Sequence, residues 1–222
     1  MAWESSQISA GIGGMLHWAE GVEGPLGFPE LEPGRPFELN GAIGMGMARL
    51  GYHLLVGPSQ VAPVVVLDVK GWMSPEAAWE AGVRRDHLIY VKCDQPRIWS
   101  QVTAALCEGV RAIYAEVPSG VKEHDLRRLV ALMRARRVRI VFRPLVGSLP
   151  VGISHLRIRA ARISWNGLES GHGRLAVRRM DLELSGRGVA GETRLVTVED
   201  TGEGAMCVVP ELVASTAGRA VG

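Results

Sequence analysis

The stretch "FELNGAIGMGMARLG", residues 37–51, sets a short apolar run against a glycine-rich loop and then a helix-like segment. The spacing is that of a phosphate-binding loop, G-x-x-x-x-G-K-[ST], with Gly41 and Gly46 as its outer glycines and Gly44 between them. The lysine position holds Met47 and the hydroxyl position Ala48. Such a loop works because backbone N–H groups form an anion nest at a helix N-terminus. Lys adds fixed charge and Ser/Thr holds the metal. Met47 carries no charge and Ala48 ligates nothing, so the loop's shape is kept without its chemistry.

Outward from this loop, strand and helix signals alternate. "PVVVLDV" is a β-branched apolar run, as expected of a strand buried on both faces. In "SPEAAWEAG" Ser74 is placed to cap a helix, with Pro75 at its first position and Glu76 in its first turn; Ala77 rules out a full capping box. "HLIYVK", "VRAIYAEV" and "VRIVFRP" read as strands. "QPRIWSQVTAALCEG" reads as a helix with Ile98, Val102, Ala105 and Leu106 on its apolar face. "KEHDLRRLVALMRARR" is the strongest helix, with Leu126, Leu129, Val130 and Met133 in a stripe. Short connections between such units predict a parallel sheet. Then the apolar period falls to two in "HLRIRAARISW", "RLAVRRMDLELS" and "ETRLVTVE", which predicts an antiparallel extension.

The expected organisation is an N-terminal arm and linker (residues 1–34), a core (35–199) and a mobile C-terminal tail (200–222). Trp3 and Trp18 in the arm either pack on the core or dock onto a neighbour. The apolar island "MCVVPELVA" in the tail, with Val208 and Leu212, either packs back on its own sheet or binds a partner by strand addition or a short helix. Trp72 and Trp79 read first as core; Trp72, just before the cap, is also a candidate surface hot spot.

Across its 222 residues the net charge is +2, so bulk electrostatics do not point to nucleic acid. Arg outnumbers Lys by 22 to 3. The basic stretches "RRVR" (136–139) and "RIRAAR" (157–162) read equally as solvated faces or as phosphate contacts. Three scattered cysteines and six scattered histidines suggest neither disulfides nor a metal site. The start of the chain does not read as a signal peptide, and no apolar run is long enough for a bilayer, so a cytoplasmic protein is expected. No serine lies in a G-x-S-x-G context, so hydrolase chemistry has no support.

In the order of its parts the chain resembles the RecA-type ATPase core over about residues 33–199. The resemblance rests on "GRPFELNGAIGMGMARL", on "VVVLDVKGWMSPEAAWEAGVRRDHLIYVKCDQPRIWSQVTAAL" and on "RLAVRRMDLELSGRGVAGETRLVTVE". It implies a mainly parallel twisted sheet flanked by helices, closed by antiparallel strands. It also implies an acid shortly after the second strand, where Lys70 stands two positions past Asp68. The metal-side acid would be Glu116, and the phosphate sensor falls at Arg143 and Pro144. The two DNA loops of such proteins are reduced to "EVPSGVKEHDL" and "RPLVGSLPVGISHL". Losing several charged transition-state interactions, each worth on the order of 10³-fold, implies no ATP turnover and no cofactor. These departures resemble the accessory proteins called ImuA and their SulA-like relatives. That resemblance implies a non-catalytic role in SOS-induced translesion DNA synthesis. The implied partners are an ImuB-like Y-family polymerase homologue, an error-prone replicative-type polymerase and RecA, with weak or indirect DNA contact. Modulation of RecA filaments, an ATPase for which Glu116, Asp68 and the loop suffice, and inhibition of cell division are the alternatives, and self-association is left open.

Overall fold

The apolar runs become strands where they can be covered on both faces. A computed structural model describes residues 28–169, 172–202 and 206–209. Five strands carry the parallel half: β1 (Phe37–Asn40), β2 (Val64–Asp68), β3 (Leu88–Lys92), β4 (Ala112–Val117) and β5 (Arg139–Pro144). Helices α1 (Met47–Ser59), α2 (Pro75–Glu80), α3 (Pro96–Leu106) and α4 (Glu123–Arg136) make the crossovers. Strands β6 (Leu156–Glu169), β7 (His172–Gly186), β8 (Arg194–Asp200) and β9 (Met206–Val209) follow. The described strands form one sheet in the order β3-β2-β4-β5-β1-β6-β7-β8-β9. Strand β6 pairs parallel with β1, and only then does the pairing turn antiparallel, from β6 through β9. The fold is mixed α/β, as its alternating periods predict.

One face of the parallel half lies under α1 and α2, the other under α3 and α4, giving two apolar layers. Every residue of β2 and β4 is buried, which explains their unbroken apolar character. The antiparallel half buries one face only: Ile158, Met180, Leu182, Leu184, Val196 and Val198 join the α1 layer. Its outward face carries a charged ladder in which Arg159 meets Glu183, Arg162 meets Asp181 and Arg179 meets Glu199. That division accounts for the period of two in these strands.

Ser74 caps α2 by accepting a hydrogen bond from the Ala77 N–H at 3.3 Å, with Pro75 at the first helical position. Helix α4 buries the expected stripe of Leu126, Leu129, Val130 and Met133. Helix α3 corrects half of the expected face. Val102 and Leu106 pack against the second layer as expected, but the helix buries Trp99 and Thr103 most deeply, while Ile98 is 40% exposed and Ala105 is exposed. The Trp99 indole decides the rotation: its N–H donates to the Glu116 carbonyl at 2.7 Å, and its ring packs against Phe142.

Two segments outside the expected core belong to the sheet and its packing. Met206–Val209 is a ninth strand on β8, so this part of the apolar island packs on its own sheet. Phe28 and Leu31, from the linker, are buried in the α1 layer. Trp3, Trp18 and Leu212 lie outside the described residues.

Candidate functional site

The loop Gly41–Gly46 sits at the C-terminal end of β1 and delivers the chain into α1. Gly46 is the residue before the helix and adopts φ 77°, a left-handed conformation. A Cβ there would lie 2.4 Å from the Met180 sulfur, so glycine is required by both backbone and packing. Gly44 is also left-handed, at φ 88°, but faces open space. A Cβ on Gly41 would lie 2.9 Å from the Met47 side chain. Gly41 and Gly46 thus let the loop pass close to Ala160 of β6 and Met180 of β7.

Met47, at the lysine position, is 1% exposed and belongs to the core beneath α1. Its carbonyl accepts a hydrogen bond from the Tyr114 hydroxyl at 3.3 Å. Ala48 is half-buried against the same layer. The two positions that would handle a nucleotide are therefore part of the packing.

The candidate acids are buried at the C-terminal ends of β2 and β4, and both are engaged. Asp68 accepts hydrogen bonds from the Gly71 N–H at 2.7 Å, the Met73 N–H at 3.1 Å and the Tyr90 hydroxyl. Burial alone would raise its pKa; the Tyr90, Gly71 and Met73 donors outweigh that and hold the carboxyl below its ordinary range. Glu116 accepts from the Val69 N–H at 3.0 Å, the Lys70 N–H at 3.2 Å and the Trp72 indole N–H. Arg143 stands 3.7 Å from the same carboxylate and lies over the Trp72 ring at 5.7 Å. Lys70 itself is exposed. Together these acids fasten the 69–73 loop and hold Trp72 in one place, 47% exposed. Trp72 is thus a surface residue, against its first reading as core. Among the described residues no group of three or more His, Cys, Asp and Glu could hold a metal ion.

Glu38, a third buried carboxylate, does the same for the 145–155 loop. It accepts from Asn40 Nδ2 at 2.9 Å, the Leu149 N–H at 2.8 Å, the Ser154 hydroxyl at 2.8 Å and Arg157 Nε at 2.9 Å. Sequence reading passed over it; the signal was a charged residue inside an apolar strand. The pairing of Arg157 with Glu38, Arg159 with Glu183 and Arg162 with Asp181 neutralises the whole of the second basic stretch.

Beside the loop, Asp200 joins Arg49 of α1 to Arg178 of β7. Arg178 lies over the Trp165 ring at 5.5 Å. The C-terminal end of the parallel sheet therefore presents Ile43, Trp72, Val146 and Trp165, between 47% and 77% exposed, around engaged polar groups. Val208 is half-buried in β9, against the α1 layer. Among the described residues no helix is long and apolar enough to cross a membrane.

Fold and site define a crossover α/β domain whose phosphate-loop-like turn serves packing and whose strand-end acids fasten loops. Residues 30–144, just over half of the chain, match the family model described as the MT3502 N-terminal domain, and the chain belongs to that family. The matched region ends at Pro144, the last residue of β5, so it covers β1 to β5 and stops before β6, which still pairs parallel with β1. No curated protein matches the chain.

Proposed function

We propose that the protein is a non-catalytic, RecA-like accessory protein of damage-induced mutagenesis, which acts by holding an ImuB-like polymerase homologue. The observation that carries the non-catalytic part is the engagement of Asp68 and Glu116. A phosphate-loop ATPase needs such acids free to meet water and metal. Here each accepts three hydrogen bonds from the 69–73 loop or its surroundings, and Met47 fills the lysine position as a core residue.

The scaffold part is supported by what the same end of the sheet displays. Ile43 follows β1, Trp72 follows β2, Val146 follows β5, and Trp165 lies on β6 beyond its pairing with β1. These strands run in one direction, so all four side chains stand at one end. A half-exposed Trp fixed by a carboxylate and an arginine is the kind of preorganised anchor that dominates protein interfaces. The RecA-like reading draws on the crossover strands followed by antiparallel closing strands. The partner rests on the resemblance to ImuA alone.

The test is a tagged pull-down from DNA-damaged cells of the source organism, with mass spectrometry of the retained proteins. Recovery of a Y-family polymerase homologue, absent with the tag alone, is expected. Recovery of RecA alone would replace this reading with modulation of RecA filaments, and recovery of neither would end the mutagenesis reading.

A further inference from the structure

The opposite end of the sheet carries charge instead of apolar side chains. There the parallel strands begin, and arginines precede or open several of them. Sheet order makes this a line. Arg111 enters β4, Arg137 and Arg139 enter β5, Arg35 enters β1, His155 enters β6, and Arg187 leaves β7. Backbone hydrogen bonds tie each neighbour to the next. The Arg139 N–H donates to the Arg111 carbonyl at 3.1 Å and the Gly34 N–H to the Val138 carbonyl at 3.2 Å. The His155 N–H donates to the Pro36 carbonyl at 2.7 Å and the Gly188 N–H to the His155 carbonyl at 3.0 Å. With neighbouring strands about 4.8 Å apart, the row from β4 to β7 is roughly 20 Å long.

Nearby acids offset part of this charge. Glu32 pairs with Arg35 at 2.8 Å, Glu108 pairs with Arg136 at 3.0 Å, and Glu30 bears on Arg139. Arg111, Arg137 and Arg187 are exposed and have no ion pair among the described residues. In the middle of the row lies an open cavity of about 400 Å³, lined by Pro33, Gly34, Arg35, Arg134, His155 and Arg187, with no carboxylate in its wall. Burial first, and then Arg35 and Arg187, hold the His155 imidazole below its ordinary pKa, with Glu32 working the other way.

We infer that this row binds the phosphate backbone of a single nucleic-acid strand, at the end of the sheet opposite the apolar cluster. A line of guanidinium groups fits a linear polyanion better than a compact one, and the planar fork matches phosphate oxygens two at a time. His155 is the one ring in the row, so phosphates are held and bases are not read. Three unpaired arginines engage a small number of phosphates, so binding is weak and steeply lowered by salt.

The test uses the full-length protein and a short labelled single-stranded oligonucleotide, followed by fluorescence anisotropy across a salt series. Each phosphate that is no longer neutralised changes the slope of log K against log salt by about 0.7. The triple variant Arg111→Gln, Arg137→Gln, Arg187→Gln is expected to flatten that slope by roughly 2 and to weaken binding at least about tenfold at low salt. A control variant, Arg159→Gln with Arg179→Gln on the charged ladder, is expected to bind as wild type. Unfolding curves confirm that the variants are folded. The inference is overturned if wild type does not bind, if the triple variant keeps the wild-type slope, or if the control variant weakens as much as the triple variant. Displacement of the oligonucleotide by polyglutamate of equal charge as readily as by unlabelled oligonucleotide would also overturn it. The row would then be a surface for acidic protein.

Discussion

Met47 shows how much one position can hide. In the sequence it is a missing lysine; in the fold it is a core side chain, 1% exposed, beneath a helix that needs it. Restoring the motif residue should therefore harm the protein. Met47→Lys would bury an ammonium without a partner and is expected to lower unfolding free energy by about 3 kcal/mol or more, measured by urea denaturation. His53 gives a second residue-scale test. Burial first, and then Arg49 and Arg178, push its pKa down to about 4, with Asp200 working the other way. The unfolded chain takes up this proton near pH 6.5 and the folded chain only near 4. Stability from this residue is present above pH 6.5 and is lost as pH falls toward 4. His53→Gln is expected to flatten the pH dependence of stability in that window. That the loop lacks the motif's lysine and hydroxyl was legible at Met47 and Ala48. What occupies the acids was not: the donors to Glu116 are 44 to 47 positions away in sequence and meet it only through strand pairing.

At the scale of elements, α1 is placed by a close approach to the sheet. Gly51 faces Tyr114, and a Cβ there would lie 2.4 Å from the tyrosine ring. Tyr114 has little room to yield, being fully buried, edge-on to Tyr52 at 5.8 Å and bonded to the Met47 carbonyl. Alanine gains about 1 kcal/mol over glycine in helix propensity. Overpacking costs about 1–3 kcal/mol, and the rigid neighbour puts this site at the upper end. Gly51→Ala is thus expected to lower Tm by a few degrees, and a rise in Tm would show that α1 is free to shift. Most elements were legible because their patterns are strong: the apolar run of β2, the cap at Ser74, the stripe of α4. The face of α3 was legible only at Val102 and Leu106, because apolar spacing ranked Ile98 above a Trp99 whose indole needed a buried acceptor. Nor could local pattern decide where residues 206–209 go; strand pairing with β8 decides that.

At the scale of the molecule the sheet has two unlike ends. One gathers Ile43, Trp72, Val146 and Trp165 around carboxylates that are already engaged; the other lines up arginines. The proposed scaffold uses the first for a protein and the second for a nucleic-acid backbone, which would hold a polymerase homologue close to its template without turnover. Composition gave no hint of this, because a net charge of +2 averages the two ends. The most direct measurement is the affinity of the purified ImuB-like homologue for wild type, for Ile43→Asp and for Trp72→Ala, by calorimetry. Ile43 is exposed, whereas Trp72 also donates to the buried Glu116, so unfolding curves must show both variants folded before affinities are compared. The account predicts binding by wild type and a loss of about thirtyfold or more in Trp72→Ala, the scale of an interface hot spot, with a smaller loss in Ile43→Asp. Wild-type affinity retained by both variants, or no binding by wild type, would contradict it.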